Sequence, residues 1–326
     1  MGFWRASIAA NARIICHMNT SSQNTNFSAS SIDRFPAFDT VVSIKLYGSA
    51  NHEAILQELR KRCATYENLF SRTIPTSDVG RINAAHGIAT SVDERTFDLV
   101  SRALVYCRRS HGAFDVTIGA VSRLWDFKNG TAPGDEELAR VIPHVNYRTI
   151  HAWRNDKSCF VRLDDSEAMI DLGGIAKGWI ADELAAYLDA LDITGYVLDL
   201  GGNILVGGMK PNGTPWVVGI RDPMGNGIIG KITISAGSMV TSGIYERSFA
   251  QGDRLAHHIL DPHTGRPVPV THPSVSVLCE QSVDAEGFST TLLALGLEQS
   301  REYRDEFPEI IQAYFVNAEG TIELLR

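Results

Sequence analysis

The segment with the clearest chemical potential is glycine-rich and runs DLGGIAKG, from Asp171 to Gly178. Its glycines let the main chain approach a ligand closely, and amides at the start of the helix expected to follow can face an anion. Lys177 adds a cation there, and the Asp171 carboxylate can accept hydrogen bonds from a ribose or a base edge. The spacing matches neither a P-loop nor a dinucleotide fingerprint. A phosphate-binding corner and an ordinary strand-to-helix turn with a solvated lysine both remain open.

A second segment, SVDAEGFSTTLLALG, pairs carboxylates with hydroxyls in residues 282–296. Glu286 and Thr290 are four residues apart, so on a helix they face the same way. Together with carbonyl oxygens from a glycine turn they would form an all-oxygen site suited to Mg²⁺. The alternative is a plain helix start near Glu286, where acidic residues favour the helix dipole.

Histidines mark a third segment, HHILDPHTGRPV, in residues 257–268. A histidine can accept or donate a proton near neutral pH. We expect a strand that ends at the Asp-Pro turn, with His258 and Leu260 on one face and His257 and Ile259 on the other. Two surface histidines beside a simple turn are the alternative.

Two further segments carry single candidates. In GAFDVTIGAVSRLWDF, Phe114 and Trp125 are typical of a core, which leaves Asp115 as the polar candidate. In TSGIYERSF, which begins at Thr241, small residues and hydroxyls could meet phosphate oxygens.

The elements that must position these segments alternate between strands and helices. The sequence predicts strands over 40–47, 216–220, 232–235 and 275–278, helices over 51–70 and 93–110, a short strand, glycine turn and long helix over 171–191, and a strand and glycine turn over 196–208. Ser77 is the expected cap of a further helix. Such alternation favours an α/β or α+β fold.

Composition narrows the class of protein. The 326 residues are 44% hydrophobic and 21% charged, which is typical of a soluble globular chain of one large domain or two closely packed ones. The 30 basic and 38 acidic residues give a net charge of −8, so nucleic acid is not an expected partner. The five scattered cysteines lack a CxxC pair and are interpreted as free, mostly buried thiols.

The N-terminal part of the chain differs from the rest. Residues 1–34 are expected to be a disordered leader or targeting segment, and 35–326 the functional domain. No stretch is apolar enough to predict an integral membrane segment. A cytoplasmic protein is expected, with a periplasmic or membrane-associated location as the alternative if residues 1–18 act in targeting.

In their order along the chain, these segments resemble the FAD:protein FMN transferases, the flavin transferases often called ApbE proteins. The resemblance spans about residues 35–325 and is carried by FDTVVSIKLYG, SDVGRIN, GAFDVTIG, DLGGIAKGWIAD, LDLGGNI, TSGIYER, HHILDPHTG and EGFSTTLLALG. It implies an α+β fold with mixed sheets, packed helices and two intimately associated α/β subdomains.

The resemblance also implies an activity. Such enzymes use Mg²⁺ to cleave FAD between its phosphates and attach FMN through a phosphoester bond to a threonine or serine of an acceptor flavoprotein, releasing AMP. An FAD pyrophosphatase that yields FMN and AMP without a protein acceptor is the alternative, and a catalytically weakened FAD-binding protein is a third possibility.

Site residues follow from the resemblance position by position. Contacts to FAD are implied for Phe38, Thr73, Ala113, Phe114, Asp115, Asp171, Lys177, Thr241 and Ile259. The metal is implied to bind the Gly174 carbonyl, the Glu286 carboxylate and the Thr290 hydroxyl, with His258 as base and Glu286 as a second catalytic group. Where the family usually has Asp, this chain has Glu286; Phe38-Asp39-Thr40 replaces Met-Gly-Thr, and Thr73 replaces an aromatic residue.

Overall fold

A computed structural model describes residues 30–48, 51–191, 193–251 and 254–325. Of the leader expected over residues 1–34, residues 1–29 lie outside the described ranges. Residues 30–34 of that segment belong to the first strand, Ser30–Ala37. Within the described ranges no helix is long and apolar enough to cross a membrane.

In the residues that the structure describes, fifteen strands make up the sheets. They are β1 (Ser30–Ala37), β2 (Thr40–Tyr47), β3 (Thr90–Val92), β4 (Ile150–Arg154), β5 (Cys159–Leu163), β6 (Gly195–Leu200), β7 (Asn203–Gly208), β8 (Trp216–Arg221), β9 (Ile228–Ile234), β10 (Gly237–Gly243), β11 (Ser248–Gln251), β12 (Arg254–His257), β13 (Ser274–Cys279), β14 (Gln312–Val316) and β15 (Ile322–Leu325). Eight form an antiparallel main sheet in the order β1-β2-β6-β7-β10-β13-β14-β15, and β3-β5-β4 form a smaller sheet.

Seven α-helices accompany the sheets in the described ranges. They are α1 (His52–Phe70), α2 (Asp78–Asn83), α3 (Glu94–Arg109), α4 (Gly119–Ser122), α5 (Asp135–Val141), α6 (Ala176–Asp189) and α7 (Ser282–Glu302). Short 3₁₀ turns cover Ile142–His144, Tyr147–Thr149 and Arg304–Glu306. The predicted cap is confirmed, because the Ser77 hydroxyl accepts the Gly80 N–H at 2.8 Å.

The main sheet is covered on both faces. Helix α7 packs on β10 and β13 and against α6, within one core cluster that also includes the strands of the smaller sheet. The hairpin of β8 and β9 covers the opposite face through a second cluster around Trp216 and Tyr314. The continuous core joins both sheets, and the predicted α+β fold is confirmed. The four described cysteines are buried and free, as expected.

Three sequence predictions need correction. The short strand expected before the glycine turn is a single bridge at Met169, because the Asn83 side chain takes both main-chain hydrogen bonds of Ile170, at 2.7 and 2.9 Å. The strand expected over residues 257–260 ends at His257. After His257 the chain no longer pairs with β11. Instead, the Val268 N–H donates to the Ile259 carbonyl at 3.0 Å. His257, Ile259 and Leu260 are consequently all buried, without the expected alternation.

The third correction concerns helix α7, which begins at Ser282, four residues before Glu286. Its first N–H groups are capped from another helix, since the Asp182 carboxylate of α6 accepts from Ser282 at 2.7 Å and from Val283 at 2.8 Å. A cap supplied a hundred residues away leaves no local signal in the sequence. Burial raises the pKa of Asp182 to about 7, against these two hydrogen bonds, which lower it.

Candidate active site

The two segments expected to handle a diphosphate and a metal meet where α6 and α7 pack together. Lys177, in the first turn of α6, forms an ion pair with Glu286 of α7. The same ammonium lies 3.5 Å from the Gly173 carbonyl oxygen. The Gly178 main-chain N–H donates to the second oxygen of the Glu286 carboxylate. The structure therefore brings together Lys177 and Glu286 from segments that are 109 residues apart.

The Glu286 carboxylate needs these hydrogen-bond and ion-pair partners because it is buried. The Glu286 side chain is 4% exposed and that of Lys177 is 24% exposed. A buried carboxylate without hydrogen bonds is strongly unfavourable. Besides Lys177 and Gly178, Glu286 receives the side-chain amide of Asn203, whose Nδ2 lies 3.4 Å from Oε2. One cation and two N–H donors thus compensate this carboxylate.

Gly178 owes its importance to contact between main chains. A Cβ at this position would lie 2.5 Å from the Ser282 carbonyl oxygen and 2.8 Å from the Val283 Cα. Both are main-chain atoms of α7, so a side chain would push the helices apart. The glycine expected to let a ligand approach instead lets α6 touch α7, which delivers the Gly178 N–H to Glu286.

Gly174 and Phe114, predicted from different segments, are also neighbours. A Cβ on Gly174 would lie 3.1 Å from Cε2 of the Phe114 ring, which is buried. The ring therefore covers the main chain at the position whose carbonyl is the expected metal ligand. Ala113, the residue before Phe114, is half-buried in the same loop.

A group of hydroxyls extends the site along α7 and β10. The Ser242 Oγ lies 2.9 Å from the Ser289 Oγ and 3.3 Å from the Thr290 Oγ1. Thr241 is adjacent in β10, and side chains alternate between the two faces of a strand. Its Oγ1 lies 2.7 Å from the Ser276 Oγ of the neighbouring strand. Ser242 is thus the strand hydroxyl that reaches Thr290, whereas Thr241, expected as an FAD contact, faces Ser276 on β13.

Asp171 connects three elements beside the glycine turn. Its carboxylate accepts from the Gly173 N–H at 2.9 Å and from the Ser122 hydroxyl at 3.2 Å. Its Oδ2 also lies 3.0 Å from Nε of Arg72, whose side chain is 35% exposed. Asp171 is therefore placed at the edge of the site, where a ligand could reach both it and the guanidinium.

Asp115 is buried in the loop that carries Phe114. Its buried carboxylate accepts from the Thr117 N–H and hydroxyl at 2.8 and 2.6 Å, and from the Tyr147 N–H at 2.9 Å. Burial raises its pKa, and these hydrogen bonds lower it. The side chain consequently shapes the loop that carries Phe114, and every contact of its carboxylate is internal.

The Phe38-Asp39 turn approaches the histidine segment. Both residues have left-handed φ values, 55° and 57°, in the two-residue turn that joins β1 to β2. The Phe38 N–H donates to Glu67 at 2.9 Å, and Asp39 Oδ2 lies 3.6 Å from the Arg247 guanidinium. Thr73 is exposed next to Arg72, at the Asp171 side of the site, and its Oγ1 lies 3.0 Å from the Ser71 hydroxyl.

His258 is a neutral imidazole oriented by the main chain. Its Nδ1 lies 3.3 Å from the Arg247 carbonyl oxygen, which can only accept, so Nδ1 carries the proton and the Nε2 lone pair is free. Burial lowers the pKa of His258 to about 4, opposed by that hydrogen bond, and the positive charges of Arg247 and Lys177 lower it further. Its neighbour Ile259 is buried in the main core.

Arg72, Glu246 and Asn203 belong to this site but are not among the candidates that the sequence gives. Glu246 lies in TSGIYER, a segment valued above only for its hydroxyls. Burial raises the pKa of Glu246, the positive charge of Lys177 lowers it, and the negative charge of Glu286 raises it. The Glu246 carboxylate therefore interacts electrostatically with the Lys177–Glu286 pair. Asn203 follows the two glycines of LDLGGNI, and its polar amide in an apolar strand was the available signal.

The donors present fit a hard divalent cation. In the described part of the chain, no three His, Cys, Asp or Glu side chains cluster as a metal site. The expected set is of another kind, with one carboxylate, one hydroxyl and one main-chain carbonyl from Glu286, Thr290 and Gly174. All are oxygens, which Mg²⁺ prefers. The ammonium of Lys177 on the Glu286 carboxylate indicates that this position accommodates positive charge.

Comparison with known proteins agrees with this geometry. A sequence model of the ApbE family matches residues 38–315, most of the chain. The chain belongs to the ApbE family. Its membership confirms the resemblance drawn from the sequence motifs and the enzyme class that they imply.

Individual relatives extend the match over nearly the whole domain. An FAD:protein FMN transferase of Treponema pallidum is 33% identical over 291 residues, covering 83% of this chain and 80% of the relative. One from Klebsiella pneumoniae is 31% identical, covering 79% and 80%. Among solved structures, an ApbE protein of Thermotoga maritima superposes with a TM-score of 0.81 at 30% identity, covering 91% and 97%. The flavin transferase ApbE of Vibrio cholerae gives 0.79 at 26% identity, covering 91% and 96%.

Proposed function

We propose that this ApbE protein is an Mg²⁺-dependent FAD:protein FMN transferase. It would cleave FAD between its phosphates, attach FMN through a phosphoester bond to a threonine or serine of an acceptor flavoprotein, and release AMP. The observation that supports this most directly is the ion pair between Lys177 and the buried Glu286, whose helix also carries Thr290 one turn further on. Lys177 would provide a cation for phosphate oxygens, and the neighbouring carboxylate and hydroxyl would provide oxygen donors for a metal.

FAD binding would use residues on both sides of that point. Lys177 would contact the diphosphate, and Asp171 with Arg72 would bind the adenosine part at the edge of the site. The turn at Phe38 and the segment at Ile259 would contact the flavin. Gly174, Glu286 and Thr290 would hold Mg²⁺, which would supply charge neutralisation at the diphosphate.

The transfer step requires a proton acceptor. The acceptor hydroxyl oxygen would form a bond to the phosphorus on the FMN side, the bond from that phosphorus to the bridging oxygen would break, and AMP would leave with that oxygen. The hydroxyl proton would pass to the free Nε2 of His258. Because the pKa of His258 is lowered to about 4, the imidazole is already neutral at pH 7 and needs no prior deprotonation.

The test follows intact mass. The full-length protein is incubated with FAD and a flavoprotein acceptor domain that carries a threonine target, with Mg²⁺ or with EDTA. We expect an Mg²⁺-dependent gain of one FMN on the acceptor and equimolar AMP. AMP without a mass gain would favour the pyrophosphatase, and neither product with FAD bound would favour a binding protein.

Two variants assign the roles. Glu286→Gln removes the carboxylate charge and is expected to abolish metal binding and transfer with the fold retained. Glu298→Gln is the matched control, since Glu298 lies on the same helix with its side chain 82% exposed. His258→Ala is expected to bind FAD normally and transfer FMN slowly. Wild-type transfer by Glu286→Gln or His258→Ala would refute the corresponding role.

A further inference from the structure

We infer that Asn203 is a positioning residue that fixes the Glu286 carboxylate for metal binding. This inference rests on the proposed role of Glu286 as a metal ligand. Asn203 is the first residue of β7, directly after the Gly201–Gly202 turn, and its side chain is completely buried. A buried amide must find partners at both ends, and here each end has a specific one.

The hydrogen bonds determine which way the amide faces. The Glu286 carboxylate can only accept, so the NH₂ end of Asn203 must point to it, and the Asn203 Oδ1 at the other end accepts from the Ser282 hydroxyl at 2.7 Å. The Asn203 Nδ2 lies 3.4 Å from the Glu286 Oε2. Ser282 also lies 2.9 Å from the Ser238 hydroxyl of β10. The donor directed at Glu286 is therefore held by the main sheet and by the first turn of α7.

This arrangement matters because the residue is Glu. A glutamate has one side-chain torsion more than an aspartate, and that freedom must be lost when a metal binds. Asn203 and the Gly178 N–H both act on Oε2, whereas Lys177 pairs with Oε1. Two neutral donors thus fix one oxygen without adding a charge that repels a metal. The other oxygen, Oε1, remains paired with the Lys177 ammonium.

Ser282 and Glu286 lie four residues apart and so share one face of α7. Asn203 contacts both, and it joins the face of α7 that carries Glu286 to the start of β7. Residues that orient a metal ligand typically change metal affinity 10- to 100-fold when replaced. We expect an effect of that size from Asn203.

The experiment measures metal binding directly in the full-length protein, with Mn²⁺ as the probe and electron paramagnetic resonance of free Mn²⁺ as the readout. Asn203→Leu, of similar size but without hydrogen bonds, is expected to weaken Mn²⁺ binding at least about tenfold. Ser282→Ala, which releases the amide, is expected to weaken it several-fold. The double variant is expected to equal Asn203→Leu, because both act through one contact.

Controls separate this inference from the proposed function. Ser300→Ala removes another buried hydroxyl of α7, which donates to the Gly296 carbonyl, and is expected to leave Mn²⁺ binding unchanged. If Glu286→Gln loses Mn²⁺ but Asn203→Leu binds it like the wild type, the positioning role is wrong and the ligand role stands. If Glu286→Gln keeps wild-type Mn²⁺ binding, the ligand role itself is wrong.

A folding defect is distinguished by melting temperature. Should Asn203→Leu fail to fold, Ser282→Ala decides the question, because it keeps the amide and removes only the group that orients it. Unchanged Mn²⁺ binding in a folded Ser282→Ala variant would then overturn the inference. In folded variants, the Mg²⁺ concentration that gives half-maximal transfer should rise, while the transfer rate at saturating Mg²⁺ should change little. That pattern would support a positioning role.

Discussion

Replacing Gly178 with alanine tests whether contact between the α6 and α7 main chains builds the site. The new Cβ would lie 2.5 Å from the Ser282 carbonyl oxygen, about 0.9 Å closer than an ordinary contact at about 3.4 Å. Neither atom belongs to a flexible side chain, so the helices must separate by nearly that amount. We expect the unfolding free energy to fall by about 1–3 kcal/mol, as for other overpacked cores.

The separation should also damage the site, because it withdraws the Gly178 N–H and Lys177 from Glu286. Thermal melting and Mn²⁺ titration of the same sample are expected to show a lower melting temperature and weaker metal binding together. Gly227→Ala is the matched control, since its Cβ would meet nothing within 4 Å. A Gly178→Ala variant with wild-type melting and metal binding would refute the packing argument.

Three further predictions concern buried polar groups. Tyr106→Phe removes the phenol that donates to the buried Asp284 carboxylate, and urea unfolding should show a loss of about 1.5–3 kcal/mol; an unchanged free energy would contradict this contact. The pKa of His258 is lowered to about 4, so the acid limb of kcat/KM against pH should lie near 4 and not near 6.5. Because folding disfavours its protonation, stability should rise with pH between about 4 and 6.5, an effect absent in His258→Ala. Asp182→Asn replaces one of the two accepting oxygens with an NH₂ group, so only one of the two N–H groups at the start of α7 keeps an acceptor; thermal melting should show a loss of about 1 kcal/mol, whereas an unaltered melting curve would argue against this cap.

Local features of the fold could be predicted from the sequence because their causes are local. Strand β2 has the predicted bounds, since branched residues alternate along it up to Gly48. The Ser77 cap and the helix from Glu94 to Arg109 depend on side chains within a few residues. The Gly201–Gly202 turn has positive φ at both residues, as a two-residue hairpin requires.

Elements with distant causes could not be predicted in the same way. The start of α7 depends on Asp182, and the missing strand before the glycine turn depends on Asn83. The left-handed Phe38 and Asp39 occupy a turn that usually takes Asn or Gly, and tertiary contacts with Glu67 and Arg247 accompany it. No short window of sequence contains these partners.

The sequence gives the residue types of the candidate site, whereas their mutual contacts are given by the fold. The motifs identified Lys177 and Glu286, but their direct pairing across α6 and α7 required the fold. The sequence indicates Asp115 as a polar candidate, and in the fold its carboxylate holds its own loop. Thr241 was selected for its hydroxyl, yet its neighbour Ser242 is the one that reaches α7, because alternation along β10 sends the two hydroxyls to opposite faces.

The glutamate at position 286 connects these observations. Its extra methylene extends the carboxylate farther from α7 than an aspartate would, towards α6. On that side the structure provides the Gly178 N–H at the point where the two helices touch, the Lys177 ammonium, and the Asn203 amide from β7. The longer side chain therefore reaches three donors that the surrounding fold holds in place. The glutamate at this position is thus accommodated by packing between α6 and α7, which depends on Gly178, where there is no room for a Cβ.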